Sequence, residues 1–532
     1  MSVPFFVRYA TKENRWYALI FLALGLGAVI IDNTILNVSI PYILRDLATD
    51  FSKVEWAISG YAMTISALLI TAGRIGEIIG YRKMYSIGIV IFMLGSLIAS
   101  EALGAGFLIF GRAVVQAIGA AIILTSALAL LATNFQGRDR AVAFGVWGSI
   151  AGASATIGPI IGGYLTTYHS WRWSLRINII IGIIVLLGTI FIRESEKNEK
   201  SRFDILGALL SGVGLFAFIF SVIEGQRYGW ITPVQSVSWW SFSFSFIPVL
   251  FFFSLILLTI FAFYESMLLR RKGTPLFQMT LFQNKTFSIG LALLGTLTMG
   301  MLGMIFVLPI LLENVFHLNA IQTGMVLMPM SLFVFLLGLS SAFLTARFRL
   351  KHIIVFGVAT LVLGTLGLIA TTLGNITLFS FLPALVLFGI GFGLASAQLN
   401  NIIMSAVPQY LAGEASAMSV TLREIGTAVG IAFIGAIFSG VIDVEIARTI
   451  QNDSALADNA KPAIIETMKN IDIESGTIDM SAVPSADVDT LQADIDVAIT
   501  VAARRAFEVS FMCVLIAIFL ALSLPKNSGK DS

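Results

Sequence analysis

The chain has 532 residues, of which 57% are hydrophobic and 12% charged, with a formal net charge of +2 and a single cysteine, Cys513. Soluble domains carry about 25% charged residues, so this composition excludes an ordinary water-soluble fold and makes lipid the solvent. The lone cysteine excludes an internal disulfide framework and a multi-thiolate metal centre, and no nucleic acid is expected as a partner.

The segment 1–16 is short and charged and lacks a cleavable signal pattern, so the first apolar run is expected to stay in the mature protein. Apolar runs long enough to cross about 30 Å of hydrocarbon follow at 17–40, 54–72, 84–100, 106–131, 141–165, 173–192, 204–223, 238–265, 287–311, 321–345, 353–372, 375–403, 415–440 and 506–524. The fold class is therefore an all-α membrane protein with fourteen predicted spans. Arg8, Lys12 and Arg15 precede the first, and alternate loops carry Arg82/Lys83, Arg138/Arg140, Lys197/Lys200/Arg202, Arg270/Arg271/Lys272 and Arg347/Arg349/Lys351. By the positive-inside rule both termini are cytoplasmic.

The long links at 193–203 and 266–286 flank one helix pair, which gives a plan of six, two and six. The expected units are an N-terminal bundle over 1–200, an inserted pair over 201–272 and a C-terminal bundle over 273–532. Gln116-Ala-Ile-Gly119 in the fourth span has a faint counterpart in Gly389-Ile-Gly391-Phe-Gly393 of the twelfth. Two related bundles around a midplane site is a transporter pattern. The polar stretch 443–505 reads as a solvated extracytoplasmic loop with some helix, or else as a segment that serves substrate release or partner docking.

Asp32 is a lone carboxylate within the first apolar run, and an acid at membrane depth must face a protein interior or a wet cavity, where it serves protons or cations by default. Arg112, in the fourth run, is equally costly without a partner. At about 1.5 Å per residue, Asp32 sits roughly 13 Å and Arg112 roughly 9 Å from the same surface, so the two are expected to form a functional pair, with separate structural polar contacts as the alternative. No nucleotide-binding loop of the Gly-x4-Gly-Lys-Ser/Thr type occurs, and His169, His317 and His352 are scattered. An ion gradient remains as the energy source, worth about 1.4 kcal/mol per proton per pH unit and about 2.3 kcal/mol per charge per 100 mV. Neither a cofactor nor a metal is expected.

Four patterns carry a family resemblance. Gly73-Arg74-Ile75-Gly76-Glu77-Ile78-Ile79-Gly80-Tyr81-Arg82-Lys83 resembles the signature loop of the major facilitator superfamily, with Glu77 where the family usually has Asp and Ile78 where it usually has a base. Phe110-Gly111-Arg112-Ala113-Val114-Val115-Gln116 resembles its fourth-helix motif, in which the Arg assists proton coupling. Ser154-Ala-Thr-Ile-Gly158-Pro159-Ile-Ile-Gly162-Gly163 resembles the fifth-helix antiporter motif of its exporters, whose proline frees a carbonyl at a possible gate. Together with the run around Asp32, Trp171-Arg172-Trp173, Phe203-Asp204-Ile205-Leu206-Gly207 and Gly413-Glu414 to Arg423-Glu424-Ile-Gly426, the whole chain is similar to the fourteen-helix drug:proton antiporters.

That resemblance implies proton-driven export of small lipophilic, commonly cationic compounds by a monomer in the cell membrane, with Asp32 and Arg112 in proton coupling. Glu77, Arg82, Gly158, Pro159, Arg423 and Glu424 are gating candidates, with Arg423 and Glu424 either meeting the loop around Glu77 or forming a local ion pair. Glu313 is either a vestibule acid or an interfacial cap, and Tyr61, Trp147 and Phe392 are either aromatic contacts for a flat cation or packing. Trp230, Trp239 and Trp240 read as an interfacial belt. Two alternatives remain: a lipid or glycolipid exporter of the same fold, and a membrane-embedded transferase, for which the acids of 443–505 lack a recognisable spacing.

Overall fold

In hydrocarbon every backbone N–H and C=O must find its partner within the protein, which makes helices the natural solution for spans of this composition. The computed structural model describes residues 14–195, 203–234, 242, 244–271, 273–345, 347–374, 377–452 and 488–525, and no strand occurs among them. The long helices are α1 (Arg15–Asp46), α2 (Phe51–Ile79), α3 (Tyr81–Ser100), α4 (Ala105–Asn134), α5 (Gly137–Tyr168), α6 (Trp171–Gly188), α7 (Ile205–Tyr228), α8 (Ile247–Arg270), α9 (Lys285–Val315), α10 (Ala320–Leu344), α11 (Leu350–Thr371), α12 (Leu378–Ser405), α13 (Ala412–Asn452) and α14 (Val488–Ser523). Thirteen stretches of described helix are long and apolar enough to cross a membrane. The 32 residues of α5 reach about 48 Å at 1.5 Å per residue, which also exceeds the hydrocarbon thickness.

The packing repeats. In the first half α1 lies on α5 and α6, α3 on α4 and α6, and α2 on α4; in the second, α9 lies on α13 and α14, α11 on α12 and α14, and α10 on α12. The halves meet through α5 against α10 and α12, and through α13 against α2 and α4. Helix α7 packs on α2 and α13, and α8 packs on α7 with Phe252, Phe253 and Phe263 exposed on its surface. The faint internal similarity has a structural counterpart: a Cβ at Gly88 would lie 3.2 Å from the Gly119 carbonyl, and one at Gly357 2.9 Å from the Gly391 carbonyl. Small residues thus bring α3 against α4 and α11 against α12 in the same way, the usual device for helix association in lipid.

Several boundaries differ from the sequence expectation. Helix α1 continues through Pro41 to Asp46, because the far end is anchored by α6: Trp171 Nε1 donates to Asp46 Oδ2 at 3.0 Å and Arg172 pairs with the same carboxylate. The signature loop is nearly all helix, with Gly80 alone between α2 and α3 at φ 97°, a left-handed conformation open to glycine at little cost. Helix α8 starts at Ile247 rather than 238, with proline in its first turn, where a missing N–H costs nothing. Helices α13 and α14 continue well into the predicted loop, since a helix satisfies its own backbone beyond the bilayer as well as within it; 453–487 lie outside the described residues.

The close α11–α12 approach generates a test. Gly391→Leu must displace the backbone of Gly357 and Leu361, and overpacking of this kind costs about 1–3 kcal/mol. A lowered melting temperature of the purified protein in detergent is expected, whereas Gly440→Leu, where nothing lies within 4 Å, should melt like wild type.

Candidate functional site

Asp32 and Arg112 are both fully buried, and the structure brings them together. Arg112 Nη1 donates to Asp32 Oδ2 at 2.7 Å, and its Nη2 donates to the Asp32 carbonyl at 3.2 Å. Two amides complete the shell: Gln116 Nε2 donates to Asp32 Oδ1 at 2.8 Å and Asn178 Nδ2 to the same oxygen at 2.5 Å. Both amides also donate to Ser96 Oγ, at 2.7 and 3.2 Å. The guanidinium lies over the Tyr61 ring, 4.6 Å from its centroid, a favourable placement for a desolvated cation. Five elements therefore converge here: α1 supplies Asp32, α2 Tyr61, α3 Ser96, α4 Arg112 and Gln116, and α6 Asn178.

Local backbone geometry aims these groups. Residues Phe110–Gln116 form a π-helical stretch within α4, a feature that widens the helix and frequently marks functional sites. Gly95 lies directly against the backbone of Gln116, which lets α3 carry Ser96 into reach. The carboxylate accepts three side-chain hydrogen bonds, from Arg112, Gln116 and Asn178, which suits the ionised form because that form is an acceptor only. Protonation would remove one acceptor position and force the shell to rearrange.

The glycine-rich helix α5 borders this site. A Cβ at Gly158 would collide with Thr34, two residues from Asp32, and would lie 3.2 Å from the Ile31 carbonyl; one at Gly162 would press on Ile35. Pro159 falls in the same helical stretch. Elsewhere on α5, Gly148 approaches Ala397 of α12 and Gly152 approaches Val334 of α10. One helix thus contacts the acid-bearing helix and the opposite bundle through positions without side chains.

The second polar centre lies at the end of the bundle where α1 and α3 begin, the basic face. Arg74 Nη1 is 2.5 Å from Glu77 Oε2 and 4.0 Å from Glu414 Oε1 at the start of α13, with all three side chains buried. Tyr81 donates to the Gly73 carbonyl at 3.2 Å and packs against Gly413, where a Cβ would strike its ring and hydroxyl. Ser416 donates to the Thr125 carbonyl at 2.8 Å, and Gln409 to the Thr133 carbonyl at 3.1 Å. These contacts hold the two halves together at this face. The backbone N–H groups of Arg82 and Lys83 donate to Glu194, at 2.9 and 3.3 Å.

Arg423 and Glu424 form a local pair at 3.1 Å, whereas Glu77 is paired with Arg74. Glu313 is half-buried near Thr323 at the far end of α9. Tyr61 and Trp147 are buried in the large apolar core and Phe392 packs against it. Trp230 meets Phe251 edge-on at 6.1 Å, and Trp239 and Trp240 lie outside the described residues. Sequence reasoning assigned no role to Gln116, Asn178, Ser96 or Glu414. For Asn178 a signal existed, a lone amide in the apolar run 177–188. Reasoning from sequence also passed over Glu224, buried on α7, whose Oε1 accepts from Ser59 Oγ at 3.5 Å and whose Oε2 lies 3.7 Å from Arg227.

The sequence pattern of the Major Facilitator Superfamily matches residues 22–431. The chain is 30% identical to the multidrug resistance protein Stp of Mycobacterium tuberculosis over 80% of its own length and 76% of that protein's. It is 27% identical to the puromycin resistance protein of Streptomyces alboniger, over 84% of this chain and 86% of the relative. The fold is shared with the human organic anion transporter MFSD10 (TETRAN), at a TM-score of 0.57 and 11% identity over 94% of this chain and 99% of that one. With its many membrane-spanning helices, the chain belongs to the Major Facilitator Superfamily and is a transporter rather than an enzyme.

Proposed function

We propose that the protein is a proton-coupled antiporter that exports small lipophilic, preferentially cationic compounds, with the basic face and both termini in the cytoplasm, and that it works as a monomer. The observation that carries this reading is the buried Asp32 carboxylate held by Arg112, Gln116 and Asn178. Relatives named for multidrug and puromycin resistance support export of foreign compounds.

In this reading Asp32 carries the proton. The Arg112 guanidinium and the amides of Gln116 and Asn178 occupy the acceptor positions of the carboxylate, so moving them away from Asp32 leaves a proton as its remaining partner. With the basic face closed by Arg74, Glu77 and Glu414, the acid is offered to the outside, takes a proton and releases substrate. Protonation breaks part of the amide and guanidinium shell, and the close contact of Gly158 with Thr34 transmits the change to α5 and hence to the opposite bundle. The gate then opens to the cytoplasm, the proton leaves, and a new substrate binds. A ligand shifts such an equilibrium only through its different affinity for the two states, a role filled here by proton and substrate competing for one site.

Three outcomes test the scheme. In vesicles carrying an imposed pH gradient, Asp32→Asn is expected to reduce substrate efflux and the accompanying proton flux to background in a variant that still folds and reconstitutes, with a lowered melting temperature because Arg112 loses its buried counter-charge; wild-type flux by this variant overturns the assignment. Arg112→Gln removes the charge together with the bonds to the carboxylate and the carbonyl of Asp32, so efflux should fall to background, with partial activity in Arg112→Lys because a point charge replaces only one of the two contacts. Glu77→Gln weakens the closed basic face alone, so distances between spin labels on the basic ends of α2 and α12 should shift toward the longer population. An unchanged distribution assigns Glu77 no part in the gate.

A further inference from the structure

The Phe203-Asp204-Ile205-Leu206-Gly207 stretch takes no part in the Asp32 site, yet it builds a separate arrangement of acids. Asp204 precedes α7, and its Oδ1 accepts from the Gly207 N–H and the Tyr264 hydroxyl, each at 3.1 Å. Its Oδ2 is buried without a hydrogen-bond partner. Glu265 of α8 is fully buried, and its two oxygens have no hydrogen-bond partner at full geometry, only the Leu276 and Phe277 N–H groups directed at them. A Cβ on Gly207 would collide with both Glu265 Oε1 and Asp204 Oδ2, so these two orphaned oxygens lie within about 5 Å of each other, a separation at which like charges oppose double ionisation.

The surrounding groups offer little compensation. Tyr264 donates to Asp204 from α8. Toward the gate, α2 contributes Arg74, already engaged with Glu77 and Glu414, and α3 contributes Tyr81. Acids thus outnumber the single guanidinium, and the described residues include no group of three with the arrangement of a metal site. A proton held by the pair removes the repulsion between two carboxylates placed this close in one buried space.

We infer that Asp204 and Glu265 hold one shared proton, forming a second proton site distinct from Asp32 and located at the basic end of the α7–α8 pair. Its position gives it a lever on the gate. The backbone N–H groups of Leu276 and Phe277 are directed at the Glu265 carboxylate, short of full hydrogen-bond geometry, and the next N–H, of Gln278, donates to Glu414 Oε2 at 2.6 Å. The strap 276–278 therefore runs from the acid pair to the carboxylate that faces Arg74. Loss of the shared proton leaves two repelling charges, which pushes the ionised Glu265 away from Asp204 and onto the strap N–H groups that favour a carboxylate; the shifted strap pulls the Gln278 N–H from Glu414, so alkaline conditions at the basic face favour an open gate. This inference stands independently of whether Asp32 drives export.

Infrared difference spectra of the purified full-length protein in lipid nanodiscs, recorded across pH, test the shared proton through its protonated-carboxyl C=O band. Asp204→Asn and Glu265→Gln are each expected to remove the same one-carboxyl share of that band at neutral pH, and the double variant to remove no more than either. If Asp204→Asn leaves the band whole while Glu265→Gln removes it, the proton belongs to Glu265 alone and the sharing is overturned, as it also is if neither variant changes the band. Asn at 204 keeps the cap oxygen, so that variant decides by itself if Glu265→Gln fails to fold. In parallel, spin labels on the basic ends of α2 and α12 should move apart at alkaline pH in wild type and stay close in Glu265→Gln; the same pH response in both overturns the link to the gate.

Discussion

The ion pair of Asp32 with Arg112 is the constraint around which the first half of the protein is arranged. Burying a carboxylate and a guanidinium costs several kcal/mol per ion unless their mutual attraction and further hydrogen bonds offset it. The neighbourhood supplies those bonds from α4 itself and from two other helices, with Gln116 one turn below Arg112, Asn178 on α6 and Ser96 of α3 bridging the two amides. The π-helical stretch in α4 and the glycine contacts of α3 are parts of the same solution, because they bring side chains of ordinary length to one carboxylate. An Asp32 that exchanges protons would change the strength of every contact in this shell at once.

The basic face follows the same rule with a different balance. Arg74 serves two carboxylates from different halves, Glu77 from its own helix and Glu414 from the start of α13. Such a junction holds only while the halves are in contact, since separation would strand Glu414 without its cation. Tyr81 against Gly413 adds a steric latch to the electrostatic one. The sequence departures from the family pattern acquire meaning here: the longer Glu77 reaches Arg74 directly, and Ile78, where a base is usual, leaves Arg74 as the cation of this cluster.

Charges at membrane depth are rare enough to be read singly, and for that reason Asp32 and Arg112 stand out in the amino-acid sequence itself. The number of spans was equally legible, because hydrocarbon leaves a 20-residue signature in each. The amides were harder to read, since Gln116 and Asn178 carry no charge, and even the lone amide of Asn178 in its apolar run becomes informative only once α4 and α6 bring both amides to one oxygen of Asp32. Glu414 and Glu265 were hidden by sequence distance: the first lies more than three hundred residues from Arg74, and the second faces Asp204 across an entire helical hairpin. The lengths of α13 and α14 escaped because hydropathy ends where the bilayer ends, whereas a helix ends where its hydrogen-bond ladder does.

The one-residue connection at Gly80 carries a mechanical consequence. Helix α2 lines the gate, and α3 carries Ser96 beneath the amides of the Asp32 shell, some fifteen residues or about 22 Å along the helix from Tyr81 at 1.5 Å per residue. A longer loop between them would act as a slack cable, absorbing displacement by changing shape. A single residue has only two soft dihedrals, and at Gly80 these are held by the N–H bonds to Gly76 on one side and by Glu194 packed against it on the other. The joint therefore behaves as a rigid coupling between the gate at one end of the molecule and the carboxylate shell near its middle.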